Sequence, residues 1–156
     1  MGEEFKKVNI YMRIVVERVK SAKLSVDNQI VSEIGQGLLV FVGVCDGDSI
    51  SIVPKVANKI ATMRIFERDN KMNESVQDIN GEILLVSNFT LCTKDTSGTR
   101  PDFSLSADKT TANNLYMALA SEIDKLGVPV RLGVFGADMQ IDTHLDGPIT
   151  IYKEIK

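Results

Sequence analysis

The sequence predicts an α/β protein: a single mixed-sheet domain with two main helices packed on layered β-sheets. Three observations carry that expectation. Short β-branched or apolar runs recur from residue 12 onward, separated by turns that carry Gly, Asn or Asp. Only two stretches show apolar residues at helical spacing. A chain of 156 residues without repeat, low-complexity tract or linker suits one core that all elements share.

Residues 1–11 read as an N-terminal extension to a domain over 12–156. Glu3, Glu4, Lys6 and Lys7 mix charges without an apolar period, and Met12 opens the first orderly segment. A natural extension, a misplaced start and an expression remnant are all compatible with that stretch. From Met12 the run Arg-Ile-Val-Val-Glu-Arg-Val predicts a strand. Ala22–Val26 and Gln29–Ile34 flank Asp27-Asn28, a pair suited to a two-residue hairpin turn. Gly35-Gln36-Gly37 is a second turn. Leu38–Val44 is apolar without alternation, which predicts a strand covered on both faces.

Ser49 is a plausible cap for a helix over Ile50–Met63, whose stripe is Val53, Val56, Ala57, Ile60 and Met63. Pro54 falls in its first turn, where a missing N–H costs little. Arg64-Ile65-Phe66 is strand-like and Asp69–Asn73 turn-rich. Glu82–Asn88 predicts another strand, and Thr93–Ser106 a long polar loop of the kind that often carries function. Leu115, Leu119, Ile123 and Leu126 mark a helix from about residue 109, stopped by Gly127 and Pro129. Val130–Val134, Met139–Thr143 and Ile149–Tyr152 read as three final strands.

Composition narrows the function. The net charge of -3 provides no global positive field, so DNA is not an expected partner and any nucleic-acid contact must be local. No apolar run is long enough to span a membrane, and no apolar h-region marks a secretory signal. Lys6 stands where a myristoylation signal needs Ser or Thr. Cys45 and Cys92 lie far apart in apolar surroundings and read as buried free thiols, which fits a reducing, cytoplasmic location.

Most catalytic constellations fail for want of residues. A Ser-His-Asp or Cys-His hydrolase would have to use His144, the one histidine of the chain, with Asp142 or Asp146 beside it; an edge histidine is the plainer reading. One His and two distant Cys cannot build a zinc site, so no metal is expected. Gly35-Gln36-Gly37 and Gly133-Val134-Phe135-Gly136 lack the Gly and Lys spacing of a phosphate loop, and no other cofactor is implied. Lys55, Lys59 and Arg64 make a modest basic group that reads as a solvated face.

Two strings remain. Ser87-Asn88-Phe89-Thr90-Leu91 closes an apolar run with hydroxyls and an amide. Its plain reading is a strand end whose hydroxyls satisfy backbone groups. Its functional reading is a strand end whose N–H groups stabilise an oxyanion at an ester carbonyl. Asp146-Gly147-Pro148-Ile149-Thr150 places a Gly-Pro pair between two strand-like stretches. That pair is either a tight turn or an X-Pro bond in the cis form.

In this order the strings resemble the D-aminoacyl-tRNA deacylase family, over nearly the whole chain from Met12. The resemblance is carried also by Arg18-Val19, Gly35–Val40, Arg64-Ile65-Phe66, Lys71-Met72-Asn73, Arg100–Ser104 and Phe135–Gln140. It implies a deacylase-like three-layer fold and a cytoplasmic homodimer with its sites at the subunit interface. The implied activity is cleavage of the ester between a D-amino acid and the terminal adenosine of tRNA. Ser87, Asn88, Phe89 and Thr90 would line the pocket, and Gly147 and Pro148 would enter it from the partner subunit. A stiff Gly-Pro carbonyl pair would hold the amino group and leave no room for an L side chain. Glycine has no side chain to reject, so glycyl-tRNA would also be cleaved.

For the chemistry, the resemblance implies that the ribose 2′-hydroxyl of the tRNA takes part while N–H groups near Phe89 and Thr90 bind the oxyanion. Thr90 is the alternative nucleophile, although nothing near it in sequence can act as its base. Arg18, Phe103 and Met139 are expected to meet the adenosine or its phosphates; Phe103 fits a stacking place or a core place equally well. The chain departs from the family at Asn88, where Gln is usual, at Leu145 in place of Asn, and at Glu17 in place of Gln. These departures keep a rival in view, a tRNA-end or nucleotide-binding module without catalysis. A different small-molecule esterase and a purely structural dimer are the other readings.

Overall fold

The computed structural model describes residues 11–156, so the expected extension over 1–11 lies, Tyr11 apart, outside the described residues. The frame is one long strand, β1 (Met12–Val26). Its two edges are used differently. On one edge its first half pairs antiparallel with β3 (Gly37–Gly43) and its second half with β2 (Gln29–Ile34). On the other edge it pairs with β8 (Gln140–Ile155) over almost its whole length. Asp27 and Asn28 both take positive φ, 50° and 61°, the conformation that a tight two-residue hairpin needs.

Beyond β3 the sheet continues with parallel partners, β6 (Glu82–Ser87) and then β7 (Val130–Leu132). The connection from β3 to β6 runs through α1 (Val53–Thr62), and that from β6 to β7 through α2 (Lys109–Lys125). The sheet curls until β2 meets β7, where the Ser32 hydroxyl donates to the Leu132 carbonyl. A small hairpin of β4 (Phe66–Arg68) and β5 (Lys71–Glu74) stands apart from it.

Alternation along the strands divides the core in two. Ile14, Val16, Leu38, Val40, Val42, Ile83 and Leu85 pack against Val56, Ile60, Leu119 and Ile123 of the helices. Val19, Leu24, Leu39, Leu84 and Val86 fill the opposite, concave side. β3 and β6 are therefore apolar on both faces, as the unbroken runs predict. The start of β3 is held so close to β6 that a Cβ on Gly37 would fall 1.8 Å from the Glu82 carbonyl oxygen.

Several expectations need correction. Ser49 does not cap α1: its hydroxyl meets Ser51, and a 3₁₀ turn over Ile50–Ile52 leads into the helix. The strand expected at Arg64–Phe66 begins at Phe66 instead. Part of Asp69–Asn73 is β5, because Asp69 and Asn70 alone supply the positive φ that closes the hairpin. The strands expected at 139–143 and 149–152 are one strand, and the Gly-Pro pair interrupts it without ending it. The two cysteines are not free thiols: Cys45 and Cys92 are fully buried and paired, with Cα atoms 5.7 Å apart. Compact topology brings their distant positions together. Among the described residues no helix is long and apolar enough to cross a membrane.

Candidate active site

The polar string after β6 folds as a turn. Asn88 is extended and precedes a 3₁₀ turn over Phe89–Leu91. Asn88 is a short amide and can hydrogen-bond locally, which is why it suits this capping place. Its Oδ1 accepts from the Thr90 N–H at 3.2 Å and from the Thr90 hydroxyl at 2.5 Å. The Leu91 N–H bonds the Asn88 carbonyl and the Cys92 N–H bonds the Phe89 carbonyl. No acceptor among the described residues meets the Phe89 N–H. The turn thus offers one free main-chain donor, with a second beside it held only by a side chain.

Three features seat this turn. Asn88 N–H bonds the Val42 carbonyl at 2.8 Å, which ties the turn to β3. Gly43 lies directly beneath it: a Cβ there would fall 2.8 Å from Leu91 Cβ and 3.2 Å from the Asn88 oxygen. Arg13 reaches across from β1 and donates to the Leu91 and Thr93 carbonyls, 2.9 Å each. Cys92, at the end of the turn, is joined to Cys45 beyond β3.

Phe89 is more than half exposed, and its ring stands edge-on to Phe103 with centroids 5.3 Å apart. Phe103 therefore forms part of the turn's rim. Met139 is half-buried against the concave core and lies beside Gly133. Ser87 ends β6 half-buried.

Gly147 and Pro148 occupy a bulge of β8. Glu17 faces Thr150 and Val19 faces Leu145, so the residues between bow away opposite Arg18. The Gly147-Pro148 peptide is cis, and Gly147 has φ 124°. Both residues are exposed. Arg18 is turned inward beneath them: its Nε donates to the Asp146 carbonyl at 3.2 Å and lies 3.4 Å from the Asp146 carboxylate. Nη1 donates to the Ile65 carbonyl at 2.9 Å. Being buried, Arg18 braces the loop, whereas the sequence reading gave it a phosphate or adenosine contact.

Among the described residues no hydrogen bond joins the turn to the Gly-Pro loop. Their attachment points on β1, Arg13 and Arg18, are separated by roughly 16 Å at about 3.3 Å per residue. His144 is farther away. It pairs with Ser21 and lines a shallow 240 Å³ cleft with Lys23, Glu33 and Asp142. From Arg13 to Ser21 the strand covers roughly 26 Å, so His144 is no base for Thr90. Among the described residues no group of three or more His, Cys, Asp or Glu is placed to hold a metal ion.

Sequence reasoning missed Arg13 and Gly43, and it singled out Asp146 without its hold on Arg18. Gly43 carried a signal, since glycine inside a strand often marks a close backbone approach. Arg13 carried only the weak signal of a charge within a β-branched run.

Fold and turn define a class: a one-domain protein whose strand end presents main-chain donors with, among the described residues, no acid–base side chain hydrogen-bonded behind them. The D-Tyr-tRNA(Tyr) deacylase family matches residues 15–154, and the chain belongs to that family. It is 43% identical over 145 residues to a D-aminoacyl-tRNA deacylase of Lactobacillus gasseri, covering 92% of this chain and 100% of that protein. It is 45% identical over 140 residues to a protein of the same name from Pseudoalteromonas translucida, covering 89% and 97%. A solved structure named c-Myc DNA Unwinding Element Binding Protein superposes with a TM-score of 0.86 at 35% identity, covering 91% of this chain and 97% of that one.

Proposed function

We propose that this protein is a hydrolase that cleaves the ester bond of D-aminoacyl-tRNA and releases the free D-amino acid. The observation that carries the reading is the turn after β6. It presents the unpaired Phe89 N–H beside the Thr90 N–H, on a chain of the deacylase family. Two such donors suit the oxyanion of an ester under attack.

Thr90 is not the nucleophile in this reading. Its hydroxyl is held by an amide oxygen, which cannot take a proton at neutral pH, and among the described residues no histidine or carboxylate hydrogen-bonds it. The attacking oxygen is then the substrate's own ribose 2′-hydroxyl, with water completing the hydrolysis. Ser87, Asn88, Phe89 and Thr90 shape the pocket, and Phe103 and Met139 flank it where the terminal adenosine would lie. Gly147 and Pro148 act as the chirality filter, admitting D substrates and glycine.

The separation of turn and loop along β1 favours a homodimer in which each copy's loop serves the other's turn. Leu145 and Tyr152 are exposed apolar side chains of β8, and they suit such a contact. The partner is the aminoacylated 3′ end of tRNA, in the cytoplasm; DNA is no partner for this acidic chain.

The test is a three-way cleavage assay with D-aminoacyl-tRNA, its L form and glycyl-tRNA. Release of the D and glycyl esters with the L ester intact is expected. Equal release of both hands would remove the filter, and binding without release would leave a non-catalytic tRNA-end module.

A further inference from the structure

We propose that Arg13 is the positioning residue of the oxyanion turn; the inference rests on the deacylase reading above. A 3₁₀ turn sends its N–H groups one way and its carbonyls the other. Here the carbonyls are engaged in succession. Asn88 O accepts from Leu91 N–H and Phe89 O from Cys92 N–H. Thr90 O accepts from the Thr93 hydroxyl. Leu91 O and Thr93 O have Arg13 Nη1 as their donor. One guanidinium nitrogen therefore secures the end of the turn farthest from the pocket.

That hold matters because, among the described residues, the turn has only two main-chain hydrogen bonds of its own. Without Arg13, two half-buried carbonyls lose their charged donor. The peptides between Thr90 and Thr93 are then free to rotate toward water. A rotated peptide exchanges N–H for C=O, and the Phe89 and Thr90 donors lose their alignment with the ester carbonyl.

The side chain is itself aimed from outside the turn. Arg13 pairs with Gly43 on one edge and with Glu154 on the other. Its Nε lies 3.8 Å from Glu154 Oε1, and the Tyr152 hydroxyl donates to that same oxygen at 2.9 Å. Arg13 touches no part of the pocket, so its effect passes through the turn. Lysine can present one charged donor there but not the planar fork.

The experiment compares wild type, R13K and R13M in D-aminoacyl-tRNA cleavage. Affinity for an amide-linked, uncleavable D-aminoacyl-adenosine and hydrogen exchange over residues 89–93 are read alongside. Loss of donor alignment predicts a kcat ~30-fold or more lower in R13M, approaching the ~10²-fold loss of one oxyanion donor. KM and analogue affinity stay within about threefold, exchange over 89–93 rises, and R13K regains about a third of the lost activation free energy. Should R13M not fold, R13K against wild type carries the test, with a lower kcat at unchanged KM expected.

Folded R13M with kcat within threefold of wild type overturns the inference. So does a parallel fall in kcat and analogue affinity, or unchanged exchange over 89–93. Wild type that cleaves no D-aminoacyl-tRNA overturns the deacylase reading instead, and the exchange comparison still decides whether Arg13 holds the turn.

Discussion

At the residue scale, Thr90 and Asp48 give opposite kinds of prediction. Among the described residues the Thr90 hydroxyl serves only the amide of Asn88, so Thr90→Ala should keep its turnover within about threefold, far from the ~10²-fold loss of an oxyanion donor. Single-turnover cleavage of D-aminoacyl-tRNA measures it, and near-total loss in a folded variant would make Thr90 the nucleophile. Asp48 concerns stability. Burial pushes its carboxyl up from 3.8 to about 6, against the pull of the Cys45 N–H and the Arg13 charge. The folded protein then holds this proton more tightly than the unfolded chain, so stability falls as pH rises from about 4 to about 6 and levels beyond. Hydrogen bonds from Ser75, Ser104 and Thr111 lower Asp78, Asp102 and Asp108, and those groups act in the opposite sense below this window. Urea unfolding from pH 4 to 7.5 should show the decline in wild type and a flatter profile in Asp48→Asn.

At the element scale, the contact between the Phe89–Leu91 turn and β3 is the sensitive one. Gly43→Ala places a methyl group 2.8 Å from Leu91 Cβ and 3.2 Å from Cys92 Sγ, with the paired cysteines limiting retreat. Overpacking of this kind costs about 1–3 kcal/mol. The variant should unfold at lower urea and cleave more slowly even where it is folded. Elements were legible in the sequence where local chemistry decides them. Asp27-Asn28 announced its hairpin, and the stripe from Val53 to Ile60 announced α1. β8 was not legible as one strand, because Gly147-Pro148 reads locally as a stop. It runs on because β1 supplies partners on both sides of the bulge. The Cys45–Cys92 pairing likewise depends on β3 and the turn lying side by side, which spacing alone does not reveal.

At the scale of the whole molecule, the site proposed here, divided between a turn and a distant loop, would make assembly part of catalysis. Sedimentation should give twice the mass of the 17.2 kDa chain. Deleting Gly147 and Pro148 should abolish discrimination between D and L esters. A monomer with full activity and full D preference would contradict the arrangement. Residue types made the two strings visible in the sequence, and the resemblance gave them their expected roles. The supports were hidden, since Arg18, Arg13 and Asp146 meet their partners only through pairings far apart in the chain.

Gly37 lies at the opposite end of β3 from the turn, yet it governs where that turn ends up. Any larger residue would wedge its strand off the Glu82 backbone and slide Gly43 and Ser87 out of step. Natural variation at this remote spot should therefore be as restricted as within the pocket, for reasons of alignment and not of chemistry.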